Sequence, residues 1–211
     1  MLPDTPALVI FLGASLALIL TPGQAMMYIL SRGLGQGRQA GIVSAGGVVV
    51  GAMMHTLLAA LGVSAILAAS AQAFLVMKYA GAAYLIFLGV QHLRSGGPAS
   101  GKEKKSKRRT TGKLFLDGIL ANLLNPKLAL FFLFYLPQFA DPERGSVGLQ
   151  ILLLGLIYNS MVLLVQGTVG VLSGTAGDWI KGHTRFLRWQ RRFTGSMLIT
   201  LGAGLAFSER P

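Results

Sequence analysis

Two short motifs place polar chemistry inside apolar sequence: Thr21-Pro22-Gly23-Gln24 and Asn125-Pro126-Lys127. In each, a residue suited to N-capping precedes a proline. That order marks a helix start, because the side-chain oxygen accepts from an orphan N–H and proline needs none at the first helical position. Gln24 stands three residues after Thr21, where a capping-box partner belongs. The surrounding segments are therefore expected to break and restart. A restarted half-helix presents free backbone N–H groups and the positive end of its dipole, which suit a carboxylate such as that of an amino acid. Thr21, Pro22, Gly23, Gln24, Asn125, Pro126 and Lys127, with Asn122 one turn earlier, form the candidate substrate-binding set. The competing reading is a pair of proline kinks whose freed carbonyls are satisfied by neighbouring helices.

Asp117, in the first turns of the fourth apolar segment, is the candidate proton carrier, since charge within a membrane is costly and usually faces a cavity or partner. A solvated charge near Lys113 is the plainer alternative. Lys127 either neutralises a substrate carboxylate or bonds carbonyls freed by Pro126. His55 follows Gly47 and Gly51 at four-residue steps, on one helix face. It is either a second titrating group in proton coupling or a neutral ring hydrogen-bonded between helices. Asn122, Tyr158, Asn159 and Gln166 either line a polar path or hold helices together.

The elements that must position these residues follow from composition. Of 211 residues, 53% are hydrophobic and 12% charged, with a mean hydropathy of +0.60. That is more apolar surface than a soluble domain of this size can bury. Apolar stretches occur at roughly 6–31, 39–69, 72–93, 114–138, 147–174 and 193–208, against the ~20 residues a span needs. The reading is one all-α integral membrane domain, residues 1–211, with six transmembrane helices. No basic stretch precedes Phe11, so the first is expected to be a retained span rather than a signal peptide. At ~1.5 Å per residue, both breaks fall deep in the membrane. Superposing Pro22 on Pro126 pairs the first span with the fourth, giving an inverted 3+3 repeat, about 1–93 and about 113–211. Interrupted helices in equivalent positions of such a repeat point to a transport site near the midplane.

Lys and Arg cluster between spans, at Arg94 to Lys113 and at Lys181 to Arg192. By the positive-inside rule both connections are cytoplasmic, and both termini lie outside. This placement accounts for the net charge of +12 without a nucleic-acid partner. Residues about 95–111, poor in apolar side chains, are expected to form a flexible cytoplasmic loop, with anionic lipid contact as a further option. Gly47 with Gly51, and Gly170 with Gly174, have the spacing of close-packed helix faces.

Three blocks carry a family resemblance: Leu20-Thr-Pro-Gly-Gln24, Gly81-Ala-Ala-Tyr-Leu-Ile-Phe-Leu-Gly89, and the run from Asn125 to Phe139 that begins Asn-Pro-Lys and ends Leu-Pro-Gln-Phe. With them the chain resembles the lysine-exporter superfamily over nearly its whole length, most of all the homoserine/threonine exporter branch. The family's usual Thr-Pro-Gly-Pro departs at Gln24. The resemblance implies export of amino acids or related small metabolites across a bacterial inner membrane, driven by proton exchange, with no cofactor.

Two other function classes are weighed. A channel, or a small-cation exporter on the same fold, also uses broken helices. An intramembrane enzyme needs a Ser/His or paired-carboxylate constellation or a metal motif, and the sequence contains none. Substrate, protons and lipid are the expected partners, and homo-oligomerisation is left open.

Overall fold

The computed structural model describes residues 2–69, 71–94, 108–182 and 184–207. The expected loop at 95–111 lies largely outside them. Among the described residues there are no strands, and the chain forms eight α-helices: α1 (Thr5–Leu20), α2 (Gln24–Gln36), α3 (Arg38–Ala69), α4 (Ala71–Arg94), α5 (Thr111–Leu123), α6 (Pro126–Leu130), α7 (Val147–Gly182) and α8 (Thr184–Phe207).

Proline sets both breaks. Pro22 ends the run of α1, and α2 leaves at 44° to it; Pro126 does the same after α5, where the helical run to Phe139 departs at 51°. Past α6 the chain passes through a π-helical turn, Phe131–Tyr135, and a 3-10 turn, Leu136–Phe139. Pro137 has no N–H for the Leu133 carbonyl, and the helix leaves α geometry around it.

By length and hydropathy α3 and α7 can each cross a membrane, over Arg38–Gly62 and Val147–Gly174, and each bent pair does so when its halves are joined. Large apolar side chains face outward, with Leu61 74% and Leu164 71% exposed, while Ser44, His55, Asn122, Asn159 and Gln166 are buried. Polar groups inside and bare hydrocarbon outside are the inverse of a soluble protein and fit a lipid surround. Helices α7 and α8 extend beyond their apolar stretches, to Gly182 and back to Thr184. The basic residues Lys181, Arg185, Arg188, Arg191 and Arg192 therefore sit on helices rather than in a loop, because hydropathy marks only the apolar part of a helix.

Helix α3 is the hub, packed on α7 and α5, with α2 against both α3 and α7 and α4 against α8. Glycines permit these approaches. A Cβ on Gly51 would lie 2.8 Å from the Ile119 carbonyl, one on Gly118 2.6 Å from the Ser44 carbonyl, and one on Gly47 would overlap the Phe115 carbonyl. Gly170 meets the Gly41 backbone in the same way, whereas Gly174 makes an ordinary contact with Arg38. Backbones this close gain dispersion energy and weak Cα–H···O contacts where lipid supplies no hydrophobic drive.

Candidate functional site

The two breaks face one another across a cavity of about 30 Å³. Of the expected site residues, Thr21, Gly23, Asn122, Asn125 and Lys127 line it; Pro22, Gln24 and Pro126 do not. Tyr158 and Gln166 of α7 complete its polar wall. The space admits one or two waters, so the two halves are nearly closed on each other.

Each proline lacks the N–H that would meet the carbonyl four residues before it, at Leu18 and at Asn122; the Asn122 carbonyl still accepts from the Asn125 N–H at 3.0 Å. Both carbonyls are met by a side chain from elsewhere in the chain. The Lys127 ammonium donates to the Leu18 carbonyl at 3.4 Å. His55 Nε2 lies 3.2 Å from the Asn122 carbonyl, and donation there assigns the proton to Nε2. Lys127 thus serves the carbonyl freed by Pro22, not one freed by Pro126. His55 is buried, with its ring stacked on Phe132 at 5.8 Å. Asn122 is tied to α3 through its Nδ2, which donates to the Val48 carbonyl at 2.7 Å.

The caps differ from expectation at the first break and agree at the second. Thr21 is the C-cap of α1, its hydroxyl donating back to the Ala17 carbonyl at 2.7 Å. Gly23 is the N-cap of α2, and Gln24 is exposed at the first helical position. The physical reason is that Pro22 forces Thr21 into extended backbone, while the threonine hydroxyl finds an acceptor in its own preceding turn. Asn125 caps α6 as expected, its Oδ1 accepting from the Lys127 N–H at 3.1 Å, with Pro126 at N1. The Leu128 and Ala129 N–H groups donate to the Asn125 carbonyl, so the restart after Pro126 offers no free N–H cluster. Gly23 gives α2 no side-chain cap. The expected pair of half-helix donors reduces to one, the start of α2, which lies beside the Lys127 ammonium: a Cβ on Gly23 would stand 3.4 Å from Nζ. Among the described residues no carboxylate lines the cavity. An uncapped helix start and an ammonium in a low-dielectric site favour an anion between them.

Residues 16–209 match the model of the LysE type translocators. The chain belongs to that family. Relatives of this translocator include the homoserine/homoserine lactone efflux protein of Salmonella typhimurium, 31% identical over 196 residues, which cover 93% of this chain and 94% of that protein. An uncharacterized membrane protein of Vibrio cholerae is 32% identical over 190 residues, 90% and 91% of the two chains. Another, YrhP of Bacillus subtilis, is 28% identical over 204 residues, 93% and 96% of the two. No solved structure is significantly similar. The resemblance carried by the three sequence blocks is thus membership, and the protein is a membrane translocator.

In this translocator two contact clusters lie near the cavity. In one, α2 is latched to the start of α5: Tyr28 donates to the Leu114 carbonyl at 2.8 Å, and the Arg109 N–H to Gln36 Oε1 at 3.0 Å. Asp117 belongs to this latch, paired with Arg109, and does not reach the cavity. Its partner is Arg109 rather than Lys113, and the pair is partly exposed. The other is an aromatic plug, joined to the cavity wall through Tyr158. Phe131 touches Phe11, Phe132, Tyr135 and Tyr158, with centroids 5.0 to 6.4 Å apart. Asn159 is helical glue, donating to Thr56 Oγ1 and the Gly155 carbonyl.

Proposed function

We propose that the translocator is a secondary exporter of amino acids and related small metabolites from the bacterial cytoplasm, with the substrate's carboxylate held between the start of α2 and Lys127. The observation that carries this reading is the cavity wall, with a positive pole and no acidic side chain. The efflux named for the Salmonella relative supports the substrate class. Homoserine brings a carboxylate to that pole and its lactone an ester carbonyl; both are acceptors, the charged one stronger.

Six spans in an inverted 3+3 repeat suit the packing, since the second members of the two halves (α3, α7) pack together, as do the third (α4, α8), and the first of each is bent. The protein lies in the inner membrane with both termini outside, as the basic residues direct. An impermeant thiol reagent applied to intact cells is expected to label a cysteine placed at 143 and not one at 106; the reverse pattern overturns the orientation.

Alternating access requires the latch and the plug to open in turn around the cavity. A cavity of this size favours a carrier over an open channel. Proton antiport fits Asp117, the one carboxylate within the six apolar stretches. Protonating it releases Arg109 and with it the latch, while His55 holds the second break. Asp117→Asn is expected to abolish gradient-driven efflux and to spare exchange of substrate across the membrane; undiminished gradient-driven efflux from that variant removes the assignment.

The two prolines separate the carboxylate site from simple kinks. Pro22→Ala supplies an N–H to the Leu18 carbonyl, continues α1 into α2 and covers the donors of the first turn. The preference for homoserine over homoserine amide should then fall about tenfold, the worth of one charge-assisted hydrogen bond. Pro126→Ala relieves only His55 and should leave that preference intact. Competition binding on purified, folded protein reads both, and an unchanged acid-to-amide ratio in the Pro22 variant sinks the site.

A further inference from the structure

Helix α7 brings to the cavity a side chain that the carboxylate site does not use. Gln166 is 6% exposed, lines the cavity, and its Oε1 has no hydrogen-bond partner. Other buried polar atoms among the described residues also lack partners, those of Ser15, Ser44 and Asn159 among them, but their residues do not line the cavity. A buried amide oxygen left unpaired costs free energy, and such a group persists where a ligand completes it. The amide is held on α7, whereas the donors of the positive pole come from α2 and Lys127. The wall thus offers donors from one side and an orphan acceptor from another.

We infer that Gln166 is a specificity-determining residue, whose Oε1 accepts a hydrogen bond from the substrate's α-ammonium group. This rests on the carboxylate reading above and completes it: an amino-acid zwitterion carries an anion and a donor cation on neighbouring atoms, matching the two kinds of group. It also narrows the class. Among the described residues Lys127 is the one charged side chain in the wall, so a second cation on the substrate has no counter-charge, and amino acids with uncharged side chains are favoured over basic ones. A neutral acceptor discriminates by what it loses. A substrate without the ammonium leaves the amide oxygen buried and unpaired, and that penalty falls on the poorer ligand.

The test uses homoserine and 4-hydroxybutyrate, which is homoserine without its amino group, in competition for purified full-length protein. Wild type should prefer homoserine, and Gln166→Leu should lower that preference about tenfold while keeping the preference for homoserine over its amide. Gln166→Glu, which retains only acceptors, should keep or raise the preference for the amino compound, and this variant decides the matter if the leucine variant does not fold. Full preference in Gln166→Leu, or its loss in Gln166→Glu, overturns the assignment. A wild-type protein indifferent to the amide removes the carboxylate pole alone. The ammonium assignment then stands or falls on the Gln166 ratio.

Discussion

Lys127→Met should cost on the order of 100-fold in homoserine affinity, the largest loss expected from any single side chain of the cavity. Two terms add. The substrate's carboxylate loses its counter-ion in a site shielded from water, where a charge-assisted hydrogen bond is worth about 1.5–3 kcal/mol. The Leu18 carbonyl, 3.4 Å from Nζ, also loses its donor and stays buried unpaired. Lys127→Gln separates the terms, because an amide can still donate to that carbonyl but brings no charge. The glutamine protein should fold as well as wild type and bind homoserine and its amide with similar affinity. Calorimetric titration measures both; a glutamine variant that still favours the acid strongly would show that Lys127 only mends the broken helix.

The largest effect on stability should come from Gly47→Leu. Its Cβ would overlap the Phe115 carbonyl, and the neighbouring Gly118 Cα stands 3.1 Å away. Those atoms are backbone, so no rotamer change makes room, and α3 and α5 must separate along the face that also carries Gly51. Overpacking typically costs about 1–3 kcal/mol, and here it also strips the contacts that hold α5 on the hub. In detergent the melting temperature should fall by roughly 10 °C. Gly62→Leu on the same helix, where nothing lies within 4 Å, is the control and should leave the transition in place. Equal melting of the two variants would mean that the close approach carries no stability.

Both breaks were legible because proline acts locally: the missing N–H and the clash with the preceding turn operate in any context. Asn125 was legible as a cap for the same reason. Thr21 was not, because its hydroxyl has two acceptable uses, capping forward or bonding back to Ala17, and composition does not separate them. The partners of Lys127 and His55 are tertiary facts. Spacing placed His55 on the glycine-rich face of α3, but which carbonyl it would meet depends on how α5 lies across that face. Gln166 was visible only as one polar residue among several in an apolar helix. Asn159, seven residues earlier, also carries an unpaired amide oxygen, but it donates to Thr56 and Gly155 between helices, whereas Gln166 lines the cavity. The latch was likewise not legible, since Arg109 lies in a basic run that the topogenic role of its charge explains sufficiently.

The two mended carbonyls differ in when their donors exist. The Asn122 carbonyl takes the Asn125 N–H three residues on, and His55 is made 67 residues before it, so the second break has its donors as soon as it is threaded. The Leu18 carbonyl waits for a lysine 109 residues downstream. At ribosomal rates of about 5–20 residues per second, that is roughly 5–20 s. Through that interval the nascent first span carries an unsatisfied polar group that hydrocarbon does not solvate, and must keep it in the insertion machinery or among water and headgroups. The first break thus receives its side-chain donor only when the carboxy-terminal half arrives with Lys127.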